Sequence, residues 1–112
     1  MVDITGSASE FAELAAVVAR GEGRVETEDL VAVEIRSDVG PGLLVRVDKP
    51  RRVLLMVGDR ESRALLAEDL RDVGSMTEGG HQHIEYSAEF GYLREGSAPV
   101  VLNSPHGGMP RS

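Results

Sequence analysis

Apolar and polar positions alternate at the start of the chain. Val2 and Ile4 are interleaved with Asp3 and Thr5, which predicts a short strand. Gly6-Ser7 breaks that period. Ser7 with Glu10 three positions later has the form of a capping box. Phe11, Leu14, Ala15 and Val18 then recur at helical spacing, and Gly21 follows where a left-handed residue ends many helices. Leu30 to Arg36 reads as a strand with Val31, Val33 and Ile35 on one face. A turn over 37–42 leads to Leu43, Val45 and Val47, which alternate with Leu44, Arg46 and Asp48 and predict an antiparallel hairpin. Val53 to Val57 is continuously apolar, the mark of a central strand buried on both faces. Asp59 caps a second helix with Ser62, Leu66, Leu70 and Val73 as its stripe, Leu65 at its flank and Gly74 closing it. Strands over 81–86 and 98–102 follow, separated by a connection over 87–96.

The pattern falls into two halves. A shift of 52 positions lays Gly6 on Gly58, Ala12 on Ala64, Leu14 on Leu66 and Ala15 on Ala67. This predicts one α+β domain over 1–102, with pseudo-repeats over 1–50 and 51–102, each a βαββ unit. The expected architecture is two-layered: about six mostly antiparallel strands in one sheet and both helices on one of its faces, the other face open. Residues 103–112 hold Gly and Pro and little to bury, and are expected to form a flexible tail.

Composition narrows the chemistry. The chain has 112 residues, 12 basic and 19 acidic side chains, a net charge of −7 and no cysteine. Thiol nucleophiles, disulfides and Cys-type zinc sites are therefore excluded. The acidic balance argues against a protein that tracks nucleic-acid phosphates. No run of about 18 apolar residues suggests a membrane span, so a cytoplasmic protein is expected. The charge is uneven: Glu22, Glu26, Glu28, Asp29, Glu34 and Asp38 face only Arg24 and Arg36 over 22–38, whereas Arg46, Lys49, Arg51 and Arg52 cluster over 46–52. The acidic stretch serves solubility and strand-edge protection, or electrostatic docking onto a basic partner. Arg51-Arg52 is read as a solvated turn.

The sharpest local feature is His81-Gln82-His83-Ile84-Glu85. Strand periodicity puts His81, His83 and Glu85 on one face, with Ile84 and Tyr86 toward the core. The outward three are either polar residues of a solvated face, contacts for a protein partner, or a two-His-one-carboxylate metal set. No Gly-x-Ser-x-Gly elbow is present, and neither Gly40-Pro41-Gly42 nor Gly107-Gly108 has the context of a phosphate cradle. No catalytic residue and no cofactor is assigned.

Gly58-Asp59, the helix from Arg60 to Val73 with Leu65, Leu66 and Leu70, the run Gly79 to Tyr86, and Gly91 to Leu102 together resemble small bacterial immunity proteins of polymorphic toxin systems. The resemblance is to a β-rich group, family thirty-two, and covers residues 53–102. It implies a non-enzymatic inhibitor that binds a cognate toxin domain, often a nuclease, in the cytoplasm. It implies a contact surface that includes His81, His83, Glu85 and Glu34, and an aromatic anchor from Phe90 and Tyr92, which lie in a connection. Two other classes stay open: a metal-binding protein or enzyme built on His81, His83 and Glu85, and a structural domain that forms a homodimer through its open sheet face.

Overall fold

The elements run β1 (Val2–Thr5), α1 (Ala8–Arg20), β2 (Gly23–Val25), β3 (Ala32–Ser37), β4 (Leu43–Asp48), β5 (Val53–Gly58), α2 (Arg60–Gly74), β6 (His81–Ile84) and β7 (Val100–Asn103). They are taken from a computed structural model that describes residues 2–26, 32–89 and 91–107. Leu30, Val31, Glu28 and Asp29, which the sequence places in or before the second expected strand, lie outside the described residues, as do Phe90 and the tail beyond Gly107.

Both helices start as their local sequences dictate. The Ser7 Oγ accepts from the Glu10 amide at 3.2 Å, and Glu10 Oε1 accepts from the Ser7 amide at 2.9 Å. Those bonds hold the Glu10 carboxyl below its usual range. Asp59 Oδ1 accepts from the Ser62 amide at 3.0 Å, and its carboxyl is lowered chiefly by bonds from Ser62. Gly21 ends α1 at φ 88, a left-handed conformation that a side chain resists. Gly74 has a different role from the one expected. It is the last helical residue, Ser75 is the cap, and a Cβ at Gly74 would sit 2.6 Å from the Phe11 Cβ. Its missing side chain is what lets α1 and α2 approach each other.

The strands form two mixed sheets, ordered β1-β7-β6 and β2-β3-β5-β4, where one sheet is expected from the sequence. The expected hairpin between β3 and β4 does not form, because β5 lies between them, parallel to β3 and antiparallel to β4. The central place expected for β5 explains this: a strand apolar on both faces is best buried between two neighbours, and a 37–42 connection leaves β4 free to cross it. The open edge of β4 is covered by the chain over 92–98. Leu43 donates to the Tyr92 carbonyl at 2.7 Å, Arg94 donates back to the Leu43 carbonyl at 2.8 Å, and Ala98 donates to the Val45 carbonyl at 3.0 Å.

The pairing is reciprocal. β1 lies parallel to β7, and β5 lies parallel to β3; β2-β3 and β6-β7 are both antiparallel. The first strand of each half thus lies parallel to a strand of the other half, β1 to β7 and β5 to β3, and β4 pairs on the far side of β5. Ser104 donates its amide to the Gly80 carbonyl, and Gly80 donates to the Gly107 carbonyl, both at 2.9 Å. The first residues of the expected tail are therefore tied down.

One core joins both sheets to both helices. It takes Val2, Ile4, Val100 and Leu102 from the smaller sheet, Val33, Ile35, Val45, Leu54 and Met56 from the larger, and Phe11, Leu14, Leu66 and Leu70 from the helices. Among the described residues one charged side chain is buried with them. Arg63 stands three, four and seven positions before Leu66, Ala67 and Leu70, so it lies on the apolar stripe of α2, 6% exposed. Its Nε donates to the Gly58 carbonyl at 3.0 Å, and its Nη1 donates to the carbonyls of Val18 and Ala19 at 3.1 and 3.0 Å. The last carbonyls of a helix lack partners within it, and the negative end of the helix dipole favours a cation there. The side chain pins the end of α1 to the end of β5.

Candidate partner-binding surface

The outward face of the smaller sheet follows from its register. One row runs Thr5, Asn103, His81 and the next Asp3, Val101, His83 across β1, β7 and β6. His81 and His83 are both exposed, and their rings meet edge to face with centroids 4.9 Å apart. Asn103 Nδ2 donates to Asp3 Oδ1 at 3.3 Å and to Thr5 Oγ1 at 3.2 Å, which orders the polar residues beside them. The two imidazoles share a face as their spacing predicts.

Glu85 is exposed but lies beyond the end of β6 at Ile84, so the three-residue strand face is shortened to two. Tyr86 is affected by the same strand end. Parity predicts a core position for it, and the structure leaves it 42% exposed. Among the described residues no three His, Asp or Glu side chains converge as metal ligands would.

Tyr92 is less available than its place in a connection predicts. Its hydroxyl donates to Asp69 Oδ2 at 2.5 Å, while Asp69 Oδ1 accepts from Gln82 Nε2 at 2.9 Å. One carboxylate on α2 thereby fastens both β6 and the 92–98 segment. Burial, followed by the bond to Asp69, pushes the Tyr92 phenol well above its ordinary value of 10.0. The ring packs against the core. Phe90 lies outside the described residues.

Glu34 belongs to the other sheet. It sits on the outward side of β3, opposite Arg24 of β2 and Leu55 of β5. Its carboxylate accepts from Arg24 Nη1 at 3.2 Å and Arg51 Nη2 at 3.1 Å, and Arg36 Nη2 stands 3.9 Å away. Sequence reasoning treats Glu34 as part of an acidic stretch. Folding brings arginines from 24, 36 and 51 around it, and only the pleat relation of Glu34 to Arg36 is visible in the local sequence. The expected contact residues are therefore distributed over two sheets, His81 and His83 on the smaller and Glu34 on the larger.

No curated protein and no solved structure matches the chain. Residues 53–105, which run from β5 to just past β7, match the model of the Immunity protein 32 family.

Proposed function

We propose that this chain is a non-enzymatic immunity protein of a bacterial polymorphic toxin system, which binds and neutralises a cognate toxin domain in the cytoplasm. The observation that carries the reading is the Immunity protein 32 match over residues 53–105. That segment contains β6, so the exposed His81-His83 pair and Glu85 lie within it. Neutralisation of this kind needs occupancy of the toxin's working surface, and no turnover by the inhibitor. A net charge of −7 favours encounter with a basic domain such as a nuclease, by long-range attraction. The outward face with His81 and His83 offers polar, partly aromatic contacts, and Glu85 adds a carboxylate beside it.

The test is to read the genes adjacent to this chain's own and to co-express the chain with a toxin domain that one of them encodes. The expected result is rescue of growth and co-purification of the two chains in a one-to-one complex. A toxin domain that kills equally well with and without the chain, and does not bind it, overturns the reading. His81→Ala with His83→Ala is expected to weaken binding of the toxin while leaving the urea midpoint of the chain unchanged. Unchanged binding by that variant removes the histidine face from the contact surface.

A further inference from the structure

The outward face of the larger sheet has a chemistry opposite to that of the whole chain. Across β2, β3, β5 and β4, one row reads Arg24, Glu34, Leu55, Arg46, and the next row reads Arg36, Val57, Leu44 over β3, β5 and β4. At about 4.8 Å between neighbouring strands, the first row spans about 14 Å. Arg24, Arg36 and Arg46 are exposed, while Leu44, Leu55 and Val57 are half-buried between them.

The positive charges are not balanced within the chain. Arg24, Arg36 and Arg51 share the single carboxylate of Glu34. Asp48 accepts from the Arg51 amide at 3.3 Å, and the Arg51 guanidinium stands 3.7 Å from its other oxygen. The Arg46 side chain makes no hydrogen bond or ion pair among the described residues, its backbone being paired with Leu55 in the sheet. Converging guanidinium groups repel one another, and an incoming carboxylate relieves that repulsion while accepting paired N–H donors from the planar fork. A groove of about 430 Å³ opens here, with Arg24, Arg36 and Ser37 and the carboxylates Glu22 and Glu34 in its wall. It is wide enough to admit an acidic side chain.

We propose that the Arg24-Arg36-Arg46 face of the four-stranded sheet docks a carboxylate-rich protein surface. The proposal rests on the reading that the partner is a protein, and adds that a domain of basic overall charge presents a local acidic patch to this face. Aliphatic side chains at the centre with arginines around them match the apolar core and arginine enrichment of protein interfaces. A nucleic acid fits this face less well. Its centre is Leu44, Leu55 and Val57, which suit the apolar part of a protein surface and offer a phosphate backbone no contact.

Two arms test it, both with the full chain. In the first, amide NMR spectra are followed as a soluble Glu- and Leu-containing peptide is added at low salt, with a single-stranded DNA oligonucleotide and anionic phosphatidylserine vesicles as alternatives. Shifts that map to β2, β3 and β5 with the acidic peptide support the proposal. No shift there, or a stronger response to DNA or vesicles, overturns it. In the second arm, Arg46→Glu and Arg36→Glu are titrated against a toxin domain that an adjacent gene encodes. Arg46 can be reversed without removing an intrachain bond, so loss of folding does not confuse the result. Binding about tenfold weaker per reversal, with a flatter salt dependence, supports the proposal. Wild-type binding that both variants retain overturns it and leaves the immunity reading standing. Absence of wild-type binding counts against that reading instead, and the peptide arm then decides the face by itself.

Discussion

Arg63→Met is the substitution with the clearest consequence. Methionine has a similar reach and an apolar stem, so the packing of the α2 stripe is largely kept. Three donated hydrogen bonds are lost. The Gly58 carbonyl still accepts from the Asp38 amide at 3.0 Å, so it is not orphaned. The Val18 and Ala19 carbonyls lie in the last turn of α1, where no intrahelical donor follows. A buried acceptor left without a partner costs about 1–3 kcal/mol, and loss of the cation at the helix end adds about 0.3–1 kcal/mol. Relief of the buried charge offsets part of this. The expected net loss is about 2–4 kcal/mol. With a urea m-value of about 1–3 kcal/mol/M, the midpoint falls by roughly 1–3 M. Arg63→Lys is expected to recover less than half of the loss, since an ammonium cannot reach the carbonyls of α1 and Gly58 together. Hydrogen exchange in the last turn of α1 reports the local effect. A loss below about 1 kcal/mol for Arg63→Met, or full recovery in Arg63→Lys, refutes the idea that a forked donor holds α1 to β5.

Three other outcomes follow from the same geometry. Tyr92→Phe removes a phenol whose folded value is raised; the stability linked to that shift is present below the unfolded value of 10.0 and is lost as pH rises above it. Wild type is therefore expected to lose stability on alkaline titration more steeply than the variant, and parallel urea midpoints from pH 8 to 11 would count against this. Glu10, Asp38 and Asp59 all have lowered folded values, so their contribution is present above the ordinary carboxylate range and disappears as pH falls through the folded values. Asp59→Asn, which keeps a side-chain acceptor for the Ser62 amide, should shrink the acid-side loss of stability, read from thermal midpoints between pH 5 and 2. Gly74→Ala gains about 1 kcal/mol of helix propensity but drives a methyl into Phe11; a net destabilisation of about 1–2 kcal/mol is expected, and a stabilised variant would show that α1 and α2 can move apart without cost.

What could be read from the sequence was what local chemistry decides. Ser7 with Glu10, Gly21, and Asp59 with Ser62 each specify a helix end within a few residues. Val53 to Val57 announced a central strand because no residue in it suits water. β2 was missed because Gly23-Arg24-Val25 carries only one buried residue, too little to show a period. The β3–β4 hairpin was misassigned because the competing strand, β5, is supplied later in the chain. Tyr86 was misplaced because parity is meaningful only while a strand continues. At the candidate surface, His81 and His83 were placed on one face by period alone. The charge around Glu34 was not legible, because its neutralising arginines come from β2 and from the turn after β4. Arg63 did leave a signal, a cation on an otherwise apolar stripe.

The parallel pairing of β1 with β7 sets Val2 beside Val100. β1 must therefore wait for β7, which is synthesised after the other described strands. Contacts at such sequence separation slow folding and make it cooperative. A nascent chain released before Val100 lacks the middle strand of the smaller sheet, and with it the neighbour on which His81 and His83 are aligned. Under the proposed function, protection of the cell begins only once β7 has been synthesised. Truncated translation products would contribute none of it, however abundant they are.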